Sequence, residues 1–204
     1  MGKTKVYWEE FYDNDTPRFP DYDGWLDKYL SHLQDSKNIV DLGCGNGVNA
    51  LYLHSQDIGV TACDFSENAL KQLKNVIPEC PTMCFDMSKE MPFVDETVDI
   101  MIADLAIHYF DWQTTKSIVE DIFRTLKKGG LFLCRVNSTK EYRPHKSDIV
   151  LEQNYYVNES NHKRFFDEKD TDKLFLNHNV LYKAELVTKK YGSPKVAWEI
   201  ALRK

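Results

Sequence analysis

The sequence lacks the features that mark several large classes of protein. No apolar run reaches the roughly 20 residues that a membrane-spanning helix needs. The opening Met1-Gly-Lys-Thr-Lys-Val-Tyr-Trp-Glu-Glu has no apolar stretch of the kind a secretory leader carries. Five cysteines (44, 63, 80, 84 and 134) are an odd number with no Cys-x-x-Cys pair, which argues against a disulfide framework. No His/Cys pair at ligand spacing follows Cys80 and Cys84, so no metal is expected. Basic residues never run beyond a dipeptide, apart from the mixed stretch His162-Lys163-Arg164. With 26 Lys and Arg against 32 Asp and Glu, the formal charge is −6. Proteins that grip phosphate backbones concentrate positive charge, so neither nucleic acid nor a membrane is expected as partner. The expected setting is the cytoplasm, with reduced and mostly buried thiols.

What the chain does have is an ordinary globular composition and a clear alternation of patterns. At 204 residues, 42% hydrophobic and 28% charged, it can bury one sizeable core. There is no internal repeat, so a single domain is expected over 1–204. Among the N-terminal aromatics Tyr7, Trp8, Phe11 and Tyr12, those at 8, 11 and 12 share a helical face before the loop Thr16-Pro17-Arg18-Phe19-Pro20. A helix over about 24–34 precedes a strand at 38–42, a glycine-rich turn at 43–47 and a helix over about 48–55. A second strand ends at Asp64, and Ser66 caps a helix bearing Ala69, Leu70, Leu73 and Ile77. Strands at 82–85 and 98–103, a helix over about 114–126 stopped by Gly129-Gly130, and a strand at 131–136 follow. Such alternation predicts a doubly wound, mostly parallel α/β sheet. Residues 138–166 are polar with aromatic pairs at 155–156 and 165–166, and 168–178 reads as a helix capped by Asp167. Strands at about 180–188 and 195–203, joined through Tyr191-Gly192-Ser193-Pro194, predict an antiparallel hairpin.

The chemistry-bearing stretch is Asp41-Leu42-Gly43-Cys44-Gly45-Asn46-Gly47. A glycine turn after a strand lets a ligand approach the backbone at the carboxyl end of the sheet. Asp64, at the end of the next strand, can accept both hydroxyls of a ribose, a feature NAD sites share. The spacing separates the two. A dinucleotide GxGxxG counted from Gly43 and Gly45 puts its third position on Val48, whereas the third glycine is Gly47. With Asp41 ahead, the turn suits a ligand with an amino acid end better than a pyrophosphate.

Together with Asp64-Phe-Ser-Glu-Asn-Ala-Leu, Met91-Pro-Phe-Val-Asp-Glu-Thr-Val-Asp99 and Leu126-Lys-Lys-Gly-Gly-Leu131, this stretch resembles class I S-adenosylmethionine (SAM)-dependent methyltransferases over about residues 38–137. The resemblance implies a seven-stranded Rossmann-like sheet. It divides the chain into N-terminal lid helices (1–35), a cofactor-binding core (36–137), an acceptor-side insertion (138–166) and a C-terminal helix and hairpin (167–204). It further implies that Gly43, Gly45 and Gly47 approach the methionine end of SAM, with Asp41 near its ammonium. Asp64 would hold the ribose and Phe65 flank the adenine; Asp86, with Met87 beside it, would meet the adenine amino group. Asp104 or Leu105 would line the cofactor. The opening Tyr7-Trp-Glu-Glu-Phe-Tyr, with Thr16-Pro17, is loosely similar to thiol, thiopurine and tellurite methyltransferases, which points to a small-molecule acceptor.

Methyl transfer is an in-line displacement at carbon, so alignment and exclusion of water are the main tasks. A hydroxyl acceptor would need a base, for which His108 is the first candidate and Tyr109 the weaker one. A non-catalytic SAM-binding module and, further off, an NAD-dependent oxidoreductase are the alternatives. Asp86 could equally cap a turn, Arg164 could be a solvated charge or meet a substrate acid, and the N-terminal aromatics could be core or lid. Either a monomer or a homodimer is compatible with the sequence.

Overall fold

A computed structural model describes residues 3–13, 19, 21–158, 161–188 and 194–204. Thr16-Pro17-Arg18, Pro20 and the expected hairpin turn at Tyr191-Gly192-Ser193 lie outside the described residues. The elements run α1 (Lys3–Tyr12), a 3-10 turn (Asp27–Tyr29), α2 (Leu30–Gln34), β1 (Ile39–Leu42), α3 (Val48–Ser55), β2 (Thr61–Asp64) and α4 (Glu67–Val76). There follow β3 (Thr82–Cys84), β4 (Val98–Asp104), a 3-10 turn (Ile107–Tyr109), α5 (Trp112–Thr125) and β5 (Leu126–Asn137). The chain ends with β6 (Ile149–Glu152), β7 (Tyr155–Asn158), β8 (Asn161–Arg164), α6 (Glu168–Leu174), β9 (Asn179–Thr188) and β10 (Lys195–Arg203).

The main sheet has seven strands in the order β3-β2-β1-β4-β5-β10-β9. The first five run parallel, and β10 lies antiparallel to both β5 and β9. This is the mostly parallel Rossmann-like sheet with a reversed C-terminal hairpin. Two-residue alternation along the strands sorts the core into two layers. Val40, Leu42, Met101, Ala103, Phe132, Cys134 and Val136 face the layer that holds Ile118, Ile122 and Phe123 of α5. Ile39, Ile100, Ile102, Leu131 and Leu133 face the layer of Leu26, Leu33, Ala50, Leu53 and Leu73. Strand order reverses between β1 and β4, and in an open α/β sheet the crevice for a ligand opens at the carboxyl ends of such a pair.

Three expectations need correction. Gly129-Gly130 does not stop a helix: α5 already ends at Thr125, and the glycines lie inside β5. There the β4–β5 register shifts between Val98 and Ile100, and a Cβ at Gly130 would stand 2.9 Å from the Lys127 carbonyl oxygen and 3.0 Å from that of Asp99. The helices expected over 24–34 and 168–178 are also shorter, the first opening as a 3-10 turn and the second ending at Leu174. Finally, the polar segment 138–166, for which no strands were expected, builds a separate antiparallel sheet β6-β7-β8. That sheet is stitched to the main body where Phe166 donates its amide to Asn137 (2.8 Å) and accepts from the Trp198 indole (2.9 Å).

Since backbone rather than a flexible side chain bounds Gly130, replacing it with alanine should cost about 1–3 kcal/mol. Urea denaturation of Gly130→Ala would measure this, and an unchanged midpoint would remove the constraint.

Candidate cofactor and acceptor site

The turn 43–47 carries the chain from β1 into α3, and most of its amides are already engaged. Gly43 and Cys44 both donate to the Cys63 carbonyl (2.8 and 2.9 Å), and Gly47 donates to that of Cys44 (3.0 Å). Gly45 donates to Asp64 Oδ2 (2.8 Å). Its φ of +55° is in the left-handed region, and an added Cβ would stand 2.5 Å from the Tyr12 hydroxyl. Only glycine fits there. At least four amides of this turn are thus unavailable to a phosphate.

The acids around the turn differ in how they are held. Asp41 is fully buried at the third position of β1. Asn49 donates to it (3.2 Å) while accepting from the Trp25 indole (3.0 Å). Asp64 is buried and turned inward, accepting the Ser66 amide at Oδ1 (2.9 Å) as well as that of Gly45. Burial pushes its pKa up, and these amides work against that rise. A carboxylate oxygen has room for a second donor, so both oxygens can still accept from a diol. Phe65, next in sequence, is half-buried. Asp86 fulfils the turn-capping reading: its Oδ1 accepts from the Ser88 amide (2.9 Å) and hydroxyl (2.7 Å). Met87 is buried, with its methyl 3.0 Å from where a Gly43 Cβ would lie.

The Asp104 carboxylate is held in a buried ion cluster. Both its oxygens are taken by Arg135 (2.7 and 2.9 Å), which also reaches Asp23 (2.6 Å) and lies 4.7 Å from the centre of the Trp25 ring. Sequence patterning gave no sign of this buried cluster, since nothing in a strand ending Leu-Cys-Arg-Val announces a charged partner on β4. The neighbouring Leu105 is held at φ +56° with its amide on the Arg135 carbonyl (3.0 Å). A left-handed leucine is uncommon and strained.

Helix α1 lies across this end of the sheet. Glu9 accepts the Ser66 hydroxyl (2.9 Å) and the amides of Glu67 (3.1 Å) and Asn68 (3.3 Å). It thereby satisfies the exposed first amides of α4, where a negative charge is favoured. Gln72 donates to the Tyr12 carbonyl (2.6 Å), and the Trp8 ring meets Tyr109 edge-on at 5.3 Å. The aromatic periodicity located this helix, but nothing in it singled out Glu9.

His108 and Tyr109 follow β4 on a 3-10 turn, with ring centres 4.3 Å apart. His108 is only 1% exposed, and its Nδ1 has no hydrogen-bond partner among the described residues. Burial, then the charges of Lys163 and Lys195, hold its pKa well below the usual imidazole range, against the pull of Asp104. The histidine is therefore neutral at pH 7. Tyr109 is half-buried and its carbonyl accepts from the Tyr155 hydroxyl (3.4 Å). Arg164 is neither solvated nor open to a substrate. It is 2% exposed, paired with Glu152, and packed between the rings of Trp112 and Tyr155. None of the five cysteines forms a disulfide; Cys63, Cys80 and Cys134 are buried, Cys44 is half-buried and Cys84 is exposed. No group of three His, Cys, Asp or Glu side chains placed to hold a metal occurs among the described residues. No helix among them is long and apolar enough to cross a membrane.

This geometry defines an open α/β domain whose strand order reverses between β1 and β4, beside the glycine turn. Residues 39–130 match the sequence family described as a methyltransferase domain. The chain is 28% identical over 100 residues to an uncharacterized methyltransferase, sll0829, of Synechocystis, covering 49% of this chain and 47% of that protein. It is 34% identical over 96 residues to the human mitochondrial arginine-hydroxylase NDUFAF5, covering 46% of this chain and 27% of that protein. The chain thus spans less than half the length of these two relatives. Among solved structures, a SAM-dependent methyltransferase of Methanosarcina mazei superposes with a TM-score of 0.75 at 20% identity, over 87% of this chain and 96% of that one.

The buried neutral histidine carries a stability signature. Its folded pKa lies below the unfolded value of about 6.5, so below that pH the unfolded chain binds a proton that the folded one refuses. Stability should therefore fall as pH drops through about 6.5, and His108→Gln should lose less over the same range. Urea titrations of both proteins at several pH values, with the imidazole followed by NMR, would check this. An ordinary titration of His108 would contradict it.

Proposed function

We propose that the protein transfers a methyl group from SAM to a small-molecule acceptor. The observation that carries this reading is the state of the turn 43–47. Its engaged amides suit a ligand without a pyrophosphate, and the inward Asp64 beside it suits an adenosyl ribose. Asp41, fully buried at the start of the turn, supplies a negative charge for the ligand's ammonium. Gly43, Gly45 and Gly47 let that end lie close to the backbone, and Phe65 and Met87 border the adenine side. Asp86 keeps the turn after β3 in shape, and Leu105 presents backbone at the end of β4.

When bound, SAM supplies a methyl on a sulfonium; the acceptor's lone pair forms the new bond, and the carbon–sulfur pair stays on sulfur as a neutral thioether. The chain's own contribution is placement and dryness. Helix α1 serves as a lid, with Trp8 and Tyr12 bringing aromatic faces that attract a cationic sulfonium. His108, kept neutral, can accept a proton from a hydroxyl acceptor at Nδ1, and Tyr109 shapes the wall beside it. A weakened base of this kind suits acceptors that need only modest help. Five cysteines without a disulfide among them suit a reducing compartment, and the cytoplasm remains our proposal.

The test is a thermal-shift panel of SAM, S-adenosylhomocysteine, NAD and NADP, in which only the first two should stabilise the protein. Asp64→Asn should weaken S-adenosylhomocysteine binding by about 1–3 kcal/mol. Stabilisation by NAD alone would overturn the cofactor assignment. Binding of SAM without S-adenosylhomocysteine formation in the presence of any thiol, amine or phenol would favour a non-catalytic module or the hydroxylase chemistry named for one relative.

A further inference from the structure

Of the two outer strands of the main sheet, β3 has three residues and β9 has ten. β9 pairs with β10 on one side, and no strand among the described residues pairs with its other side. A ladder edge of that length is a template for a further strand, and proteins usually guard it with proline, projecting charges or a covering segment. β9 contains no proline, and its two charged side chains lean back over its own sheet. Lys183 pairs with Asp172 of α6 and lies 5.5 Å from the centre of the Trp198 ring on β10. Glu185 accepts from the Ser138 hydroxyl, just past β5, and from Lys140. The register with β10 slips once, between Ala201 and Leu202, which leaves Tyr182–Thr188 as a regular stretch.

The edge presents apolar side chains instead. Val180, Leu181, Leu186 and Val187 are all exposed, Val187 by 67%, while the side chains of Lys183 and Glu185 are only 20% and 17% exposed. That inverts the order of a solvated strand, in which charged groups take the water. The sequence of β9 is also self-complementary about Ala184. Consider two copies paired antiparallel across a two-fold axis at that residue. Tyr182 of each then comes against Leu186 of the other, Leu181 against Val187, and Lys183 against Glu185, with the small alanine on the axis. The nearest registers that keep the sheet faces matched centre on Lys183 or Glu185, and each sets two like charges directly opposite. Such pairs are destabilising, so the pattern selects the Ala184 register. A symmetric dimer interface is one patch that complements itself, and this strand meets that condition in both charge and apolar content.

We propose that the protein associates with a second copy of itself through β9, the two main sheets joining antiparallel into one continuous sheet. Within each copy β10 and β5 stand between β9 and β4, so the crevice where the strand order reverses stays open in both. The inference does not depend on which ligand that crevice takes.

The test is sedimentation velocity of the full chain over a concentration series, with hydrogen exchange of residues 179–188 followed in the same samples. A dimer should form, and outward amides within Tyr182–Leu186 should gain protection as it does. Leu181→Lys/Val187→Lys sets like charges opposite at both ends of the paired stretch. It should weaken association about 10-fold or more, since two cross-strand pairs are lost in each dimer. Leu181→Lys/Val187→Glu alters the same exposed side chains but sets unlike charges opposite, and should dimerise markedly better than the first variant. A monomer at every concentration would overturn the proposal, and so would a dimer whose β9 exchange is that of the monomer. Equal weakening by the two double variants would do the same, because it would reveal an adhesive patch without a register. Affinity for S-adenosylhomocysteine should be the same in monomer and dimer, which keeps a failure of the cofactor reading separate. Should either variant not fold, the wild-type exchange measurement still decides.

Discussion

The carboxylate of Asp64 joins three pieces of chain that would otherwise be independent. One oxygen takes the amide of Gly45 and the other that of Ser66, so the glycine turn, the end of β2 and the start of α4 are fixed relative to one another. Ser66 then caps α4 through Ala69 (3.1 Å) and gives its hydroxyl to Glu9, which extends the same tie to α1. Burial raises the pKa of this carboxyl, and the surrounding amide donors oppose that rise. The geometry of the crevice thus depends on an electrostatic balance at a single side chain, and the glycines supply the shape that lets the balance be struck.

A second support is the ion cluster at the ends of β4 and β5. Arg135 pairs with both Asp104 and Asp23 while resting against Trp25, and Trp25 in turn holds Asn49, which orders Asp41. The segment 21–25 is thereby coupled to the acid expected to meet an ammonium. Removing one partner from such a group leaves a buried charge uncompensated, which is more damaging than never having had the pair.

The parallel core was legible because each of its parts is written locally. Buried apolar runs alternating with helices gave β1, β4 and the later part of β5, Ser66 and Asp167 announced their helices, and the turn 43–47 stood out by spacing. The small sheet of 149–164 was not legible. Its strands are short, Ile149, Val150 and Leu151 are all exposed, and so no alternation between core and solvent was there to read. Gly129-Gly130 misled because a glycine pair after a helix usually ends it, whereas here the constraint is close backbone packing between two strands. Lys163, Arg164 and Arg135 differ only in what lies across from them, and single-sequence patterns are blind to cross-strand partners. The same holds for Glu9, whose role arises from a helix start nearly sixty residues downstream.

The docking of α1 has a kinetic corollary. Glu9 and Gln72 tie that helix to α4, and Trp8 leans on Tyr109, directly over the region through which a spent nucleoside product would depart. On the proposed reading, each cycle requires those ties to be undone and remade. Detachment of one short helix then sets a ceiling on turnover that the displacement chemistry cannot exceed. A chain built this way would trade speed for retention, holding its reagents together long enough for a weak base and a small acceptor to find alignment.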